Sequence, residues 1–249
     1  MSTVITVTVL RTQGSAPRDA GTVMQVFADR IAGTIGGGAL EWEAIAIART
    51  MLGSGKMRHN QTFPLGPNLG QCCGGTVVLD FQLGTKEVVP SAPPLWIWGA
   101  GHVGRAVMGI IAPFDDREIT LVDTEAARMP KALPAGVTPL VASDPIRVVD
   151  HAHPTADHLI MTYSHNIDLG LCDALLRCQF GSIGLIGSAT KWARFQKRLA
   201  TLGHAPEQIA RIACPIGNPA LGKHPQAIAI GVATALISGF DRARDKGTG

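Results

Sequence analysis

Two adjacent thiols, Cys72 and Cys73, lie between glycines in the run Gly70-Gln71-Cys72-Cys73-Gly74-Gly75. An unstrained disulfide holds its Cα atoms about 4.4–6.8 Å apart. The peptide joining neighbouring cysteines resists that geometry, so both are expected as free thiols. Flanking glycines leave backbone N–H groups unshielded, which favours thiolate over thiol. Gln71, Cys72 and Cys73 are therefore candidates for holding a soft metal, a transferable sulfur or an electrophile. The competing interpretation is a pair of small buried hydrophobes in a turn that enters a strand.

Gly99-Ala100-Gly101-His102-Val103-Gly104 fits G-x-G-x-x-G, with an apolar stretch before it and a helical one after it. In such a turn the first glycine permits the bend, the second lets backbone approach a phosphate, and the third lets helix and strand pack closely. The phosphate would lie at the helix N-terminus. Asp123 closes the next apolar run and could accept a ribose hydroxyl, which would favour NAD over NADP. Equally, the turn could be kept without a nucleotide, with Asp123 pairing locally. His102 is expected as a loop histidine near a ligand.

A second glycine run, Gly36-Gly37-Gly38, opens a helix whose first turn carries Glu41 and Glu43. Those carboxylates complement the helix dipole but would compete with a bound phosphate. Arg18, in the turn Gly14-Ser15-Ala16-Pro17-Arg18, could offset that by forking onto a phosphate or carboxylate. His165 follows a predicted strand in Thr162-Tyr163-Ser164-His165-Asn166, where ligands gather in an open α/β sheet, although Asn166 could simply cap the next helix. Lys191, Arg194 and Arg198 share one helical face, read as a solvated basic surface or an anion site. Cys172 and Cys178 fall in a helical pattern and are expected to be buried.

The elements that position these residues divide into two halves. Lys86 to Pro94 carries three prolines and no periodicity, which suits an extended linker. The expected organisation is a domain over 1–85, a linker over 86–94 and a second domain over 95–249. In the first half, strands are predicted at Val4 to Arg11, Thr22 to Ala28, Ile31 to Ile35 and Thr76 to Phe81, with a helix over Ala39 to Leu52. The second half alternates strands (Leu95 to Trp98, Ile119 to Val122, His158 to Met161, Ser182 to Ile186) with helices (Val103 to Ile111, Pro145 to His151, Asp168 to Cys178, Lys191 to Leu202). That alternation predicts a Rossmann-like parallel sheet, and the whole chain is assigned to the α/β class.

The chain has 249 residues, 22 basic and 19 acidic, with the basic residues scattered. That balance and a single tyrosine exclude a nucleic-acid-binding footprint. Five cysteines without regular spacing favour reduced cytoplasmic thiols over a disulfide framework. The longest apolar stretch, Ala227 to Phe240, is too short to span a bilayer comfortably and reads as a core helix. A soluble cytoplasmic protein with no membrane or nucleic-acid partner is expected.

Taken together, Gly14 to Arg18, Gly33 to Arg49 (GTIGGGALEWEAIAIAR), Leu69 to Gly75 (LGQCCGG), Gly99 to Gly104, Gly184 to Arg198 (GLIGSATKWARFQKR) and Cys214 to Gly217 (CPIG) resemble the xanthine dehydrogenase accessory protein family, XdhC/CoxI. The similarity spans nearly the whole chain. It implies an N-terminal XdhC/CoxI domain, a Rossmann-like C-terminal domain, and a chaperone that binds molybdenum cofactor, assists its sulfuration and delivers it to a xanthine dehydrogenase. The implied partners are the xanthine dehydrogenase apoenzyme, a cofactor-sulfurating cysteine desulfurase and the cofactor biosynthesis proteins.

Molybdopterin joins a dithiolene-bound metal, a pterin and a phosphate. Its carrier needs soft chemistry at one end, for which Cys72 and Cys73 suit the molybdenum, and anion contacts at the other. A homodimer with a cleft between domains as the site is the expected assembly. The alternatives are an NAD(P)-dependent oxidoreductase, which leaves the double cysteine unexplained, and a scaffold whose glycine turns are structural.

Overall fold

The computed structural model describes residues 3–65, 74–85 and 92–238. Gln71, Cys72 and Cys73 lie outside the described residues. The chain forms two compact units, Met1–Val89 and Pro90–Gly249.

Unit 1 is an antiparallel sheet backed by one helix. Its strands are β1 (Ile5–Gln13), β2 (Val23–Val26), β3 (Ile31–Gly33), β4 (Arg58–Pro64) and β5 (Thr76–Leu83), in the order β3-β2-β1-β5-β4. Alternation along β1 sends Ile5, Val7 and Val9 into the core beside Leu79 and Phe81 of β5, as the period of two in a strand requires. Helix α1 (Gly38–Ser54) supplies Leu40, Ala44, Ala48 and Met51 to the same core. A register shift between Val9 and Arg11 interrupts the β1–β5 ladder, as a β-bulge does. β4 is an edge strand that the sequence pattern does not predict: of Arg-His-Asn-Gln-Thr-Phe-Pro only Phe63 is buried.

Unit 2 has a six-stranded parallel sheet, β6 (Leu95–Trp98), β7 (Ile119–Asp123), β8 (Val137–Val141), β9 (Asp157–Ile160), β10 (Ser182–Leu185) and β11 (Ile212–Ala213). The order is β11-β10-β9-β6-β7-β8. This is the doubly wound Rossmann arrangement, with its switch point between β6 and β9. β6 shows why two layers form. Leu95 and Ile97 face α2 (His102–Ile111) and α6 (Pro225–Ser238), whereas Trp96 and Trp98 face α3 (His165–Leu176) and α4 (Ala189–Thr201).

A short helix, α5 (Pro206–Ile209), leads into β11. Pro145–His151, expected as an α-helix, is a 3₁₀ helix capped by Asp144. Cys172 is buried as expected, but Cys178 is only partly so. Among the described residues no helix is long and apolar enough to cross a membrane.

Candidate functional sites

In unit 1 three glycine-bearing turns meet. Gly14 has φ +72°, and a Cβ there would stand 3.2 Å from the Gly75 Cα. A Cβ on Gly75 would in turn fall 2.7 Å from the Gln13 carbonyl oxygen, inside contact distance. Ser15 and Gly74 form a β-bridge. On the other side, Gly36 has φ +123° and abuts Pro17, whose Cβ would be 2.5 Å from a Gly36 Cβ. Side chains at these glycines would force the turns apart, so the sequence keeps them bare. Arg18 is exposed next to Pro17 and forms no ion pair among the described residues. Cys73 is joined by a peptide bond to Gly74.

The start of α1 is a less open anion cradle than the glycine run suggests. Glu41 Oε2 accepts hydrogen bonds from Thr34 Oγ1 at 2.5 Å, Ile35 N at 3.0 Å and Gly37 N at 3.2 Å, while Gly36 N donates to Thr34 Oγ1. A phosphate over Gly36, Gly37 and Gly38 would have to displace that carboxylate. Glu43 is exposed.

In unit 2 the narrow crevice at the switch point is lined by Trp98, Gly99, Val122, Asp123, Thr124, Pro145, Thr162 and Tyr163. Gly99 (φ +118°) lets β6 turn against β9: a Cβ would lie 2.5 Å from the Met161 carbonyl oxygen. A Cβ on Gly104 would collide with the Gly99 carbonyl, whereas Gly101 faces open space. His102 and His165 are exposed first residues of α2 and α3. The cap of α3 is Ser164, not Asn166, and accepts from Ile167 N.

Asp123 is buried and locally committed. Its Oδ2 accepts from Ala100 N and its Oδ1 from Thr124 N, each at 2.7 Å. Arg128 Nε is 3.7 Å from Asp123 Oδ1, too far for a hydrogen bond. The Arg128 guanidinium lies 4.0 Å from the centre of the Tyr163 ring. Arg105 donates to the carbonyls of Ala100 (2.7 Å) and Arg128 (2.5 Å), fixing this segment to the glycine turn. The glycine pattern does not point to Arg128 or Tyr163. The available signal was their place in loops that follow β7 and β9, where a doubly wound sheet gathers its ligands.

Lys191 is not part of a solvated face. Its Nζ donates to Asp168 Oδ2 at 2.6 Å and to the Ile186 carbonyl at 2.9 Å, with the two side chains 10% and 1% exposed. Asp168 Oδ1 accepts from Thr162 N and Thr162 Oγ1, so one carboxylate ties the loop after β9 to the loop after β10. Arg194 and Arg198 do face solvent. Burial pushes the Cys172 thiol far up and the Cys214 thiol to about 11. These two are protonated and unreactive at neutral pH. Among the described residues no group of three or more His, Cys, Asp and Glu side chains could hold a metal ion.

Residues 95–236 match the model for the XdhC Rossmann domain and residues 2–63 that for the XdhC and CoxI family. The uncharacterized protein YqeB of Escherichia coli strain K12 is 28% identical over 235 residues. Those residues are 92% of this chain but 42% of YqeB, so the chain spans less than half the length of that relative. A solved structure described as a xanthine dehydrogenase from Bacillus halodurans superposes with a TM-score of 0.75 at 16% identity, covering 100% of this chain and 94% of that one. This likeness speaks to fold alone. A Rossmann-fold NAD(P)-binding family protein from Shigella flexneri gives a TM-score of 0.41 at 15% identity, covering 59% of this chain and 87% of that one. With both units matched in chain order, the protein belongs to the XdhC/CoxI family.

Proposed function

We propose that this protein is a cytoplasmic accessory factor that carries molybdenum cofactor as cargo, assists its sulfuration with a cysteine desulfurase and delivers it to a xanthine dehydrogenase apoenzyme. The observation that carries this reading is the packing of the Gly14–Arg18 turn against Gly74 and Gly75, directly after Cys72 and Cys73 in the chain, and against Gly36 through Pro17, with Arg18 exposed on that turn. Thiolates suit a soft molybdenum centre or a sulfur in transit, and a guanidinium suits the phosphate. Family membership supports the same role. Of the two candidate phosphate positions in unit 1, Arg18 is favoured over Gly36 to Gly38, because Glu41 already holds the helix start.

The test is to purify the full chain from cells that make the cofactor and to assay molybdenum and pterin together. Cys72→Ser and Cys73→Ser should each lower bound molybdenum at least severalfold without changing the circular dichroism. Full occupancy in both single variants and in the double variant would remove the thiols from the site. The role is carriage, so the protein alone should show no steady turnover of NADH or NADPH with xanthine or a small carbonyl compound. Such turnover would favour an oxidoreductase instead.

A further inference from the structure

We propose that the outward face of α6 pairs with the same face of a second copy of this chain, antiparallel about a twofold axis beside Thr234. This inference rests on unit 2 alone and does not depend on the molybdenum reading.

The run from Pro225 to Phe240 contains no charged residue, the composition of a helix buried on every side. In the single chain α6 is not buried on every side. Ala229, Val232, Ala233 and Leu236 pack into the core with Val107, Met108 and Ile111 of α2. Gly231 lies so close to the turn after β11 that a Cβ there would be 2.6 Å from Asn218 N. The remaining face leaves Ile230 and Ile237 each 53% exposed, in line with half-buried Ala227 and exposed Thr234. Ala227, Ile230, Thr234 and Ile237 follow one another at intervals of three, four and three residues, the spacing of a seam that meets another helix. Thr234 turns its hydroxyl back onto its own helix, donating to the Ile230 carbonyl at 2.8 Å, so a partner meets a hydroxyl that is already bonded.

A second copy suits this stripe better than the other occupants. A helix lying in a membrane interface carries a strongly charged polar face, whereas the other faces of α6 are packed against protein. Gly239 to Gly249 hold five charged side chains and one large apolar one, Phe240, too little apolar surface to cover the stripe. A twofold axis sets a surface against itself, so a charged face would meet its own charge and an uncharged one meets no repulsion. Antiparallel alignment also brings the positive end of each helix macrodipole to the negative end of the other. Thr234 lies nearly midway between Ile230 and Ile237, so this pairing sets Ile230 against Ile237 of the partner subunit and brings the two Thr234 side chains together on the axis.

Sedimentation velocity of the full-length chain over a dilution series should show a monomer–dimer equilibrium. An interface one helix wide falls below the roughly 1,200–2,000 Å² of stable complexes, so half-dissociation is expected at about 1–100 µM. Ile230→Glu and Ile237→Glu each place a carboxylate in the seam and should weaken dimerisation at least about tenfold. Both positions are exposed in the single chain, so thermal melts of the dilute variants should stay close to wild type. Under air oxidation Thr234→Cys should give a disulfide-linked dimer above the level that the native cysteines give in wild type. Ile230→Cys should not, because its own counterpart lies beyond the reach of a disulfide. A wild-type chain that stays monomeric at about 500 µM, well above the range expected for so small an interface, would overturn the proposal. So would a dimer unaffected by either glutamate, or efficient cross-linking through Ile230→Cys. Binding of a persistent monomer to anionic vesicles, lost in Ile230→Glu, would assign the face to a lipid surface and overturn it as well.

Discussion

His158 on β9 accepts a hydrogen bond at Nδ1 from the Trp98 indole N–H at 3.2 Å, so its own proton resides on Nε2, which is buried without a partner. Burial pushes this histidine down to about 4 from its ordinary 6.5. Between those values the unfolded chain binds the proton and the folded one does not, so stability rises with pH across that window. It is present in full above about 6.5 and lost as pH falls toward 4. Each tenfold difference in proton affinity between the folded and unfolded chain is worth about 1.4 kcal/mol, which makes the loss at most about 3.5 kcal/mol. Urea titrations at pH 7.5 and pH 5 should show it in the wild type, and His158→Phe should flatten the difference. Phe keeps the stacking on Trp96 and Trp98 but leaves the Trp98 N–H unpaired, a pH-independent cost of about 1–3 kcal/mol. A variant with the same pH slope as the wild type would assign the acid sensitivity elsewhere. His158 could not be singled out in the sequence, because its burial depends on β9 pairing with β6, which sets it against Trp96 and Trp98. At Gly36, Gly75, Gly99 and Gly104 a side chain would collide with Pro17 or with neighbouring backbone, whereas Gly37 and Gly101 face open space.

At the scale of elements, the Asp168–Lys191 pair is a buried cross-link in unit 2 between the first turns of α3 and α4. Removing one member of a buried pair strands the other charge and typically costs 3–5 kcal/mol. Lys191→Met should therefore destabilise the protein by about 3–5 kcal/mol, whereas Arg194→Ala and Arg198→Ala on the exposed face should each change stability by less than about 0.5 kcal/mol. Equal small effects at all three positions would mean that the solvated-face reading was right after all. Helical spacing alone misjudged this face because it reports which residues share a side, not what the neighbouring loop places there. The informative sign was an aspartate inside the apolar run Ile167-Asp168-Leu169, a charge with no solvent to face. The same limit hid β4 and β8. Edge strands carry few inward side chains, so they lack both the alternation that exposes β1 and the continuous apolar runs that expose β6 and β9.

At the scale of the whole molecule, each unit owns its core. Ile5, Val7, Leu79 and Phe81 belong to unit 1, while Ile97, Leu121, Trp98 and Leu185 pack on the two faces of the unit 2 sheet. In the sequence the prolines of 86–94 interrupt every periodicity, and the alternating strands and helices after them specify the parallel sheet of unit 2. Two cores predict two unfolding events, and the tryptophans allow them to be followed apart. Trp96 and Trp98 are buried in unit 2, whereas Trp42 of unit 1 is 76% exposed, so emission reports chiefly on unit 2 and far-ultraviolet circular dichroism on both. Phe81→Ala empties a fully buried site in unit 1 at a cost of about 3–5 kcal/mol. It should bring forward the dichroism transition in urea while leaving the midpoint of the emission transition in place. Leu185→Ala, costing about 2–5 kcal/mol in unit 2, should move the emission transition instead. If either variant shifts both signals together by the same amount, the units unfold as one cooperative body. Separate shifts would mean that unit 1 can open locally while the sheet of unit 2 stays folded.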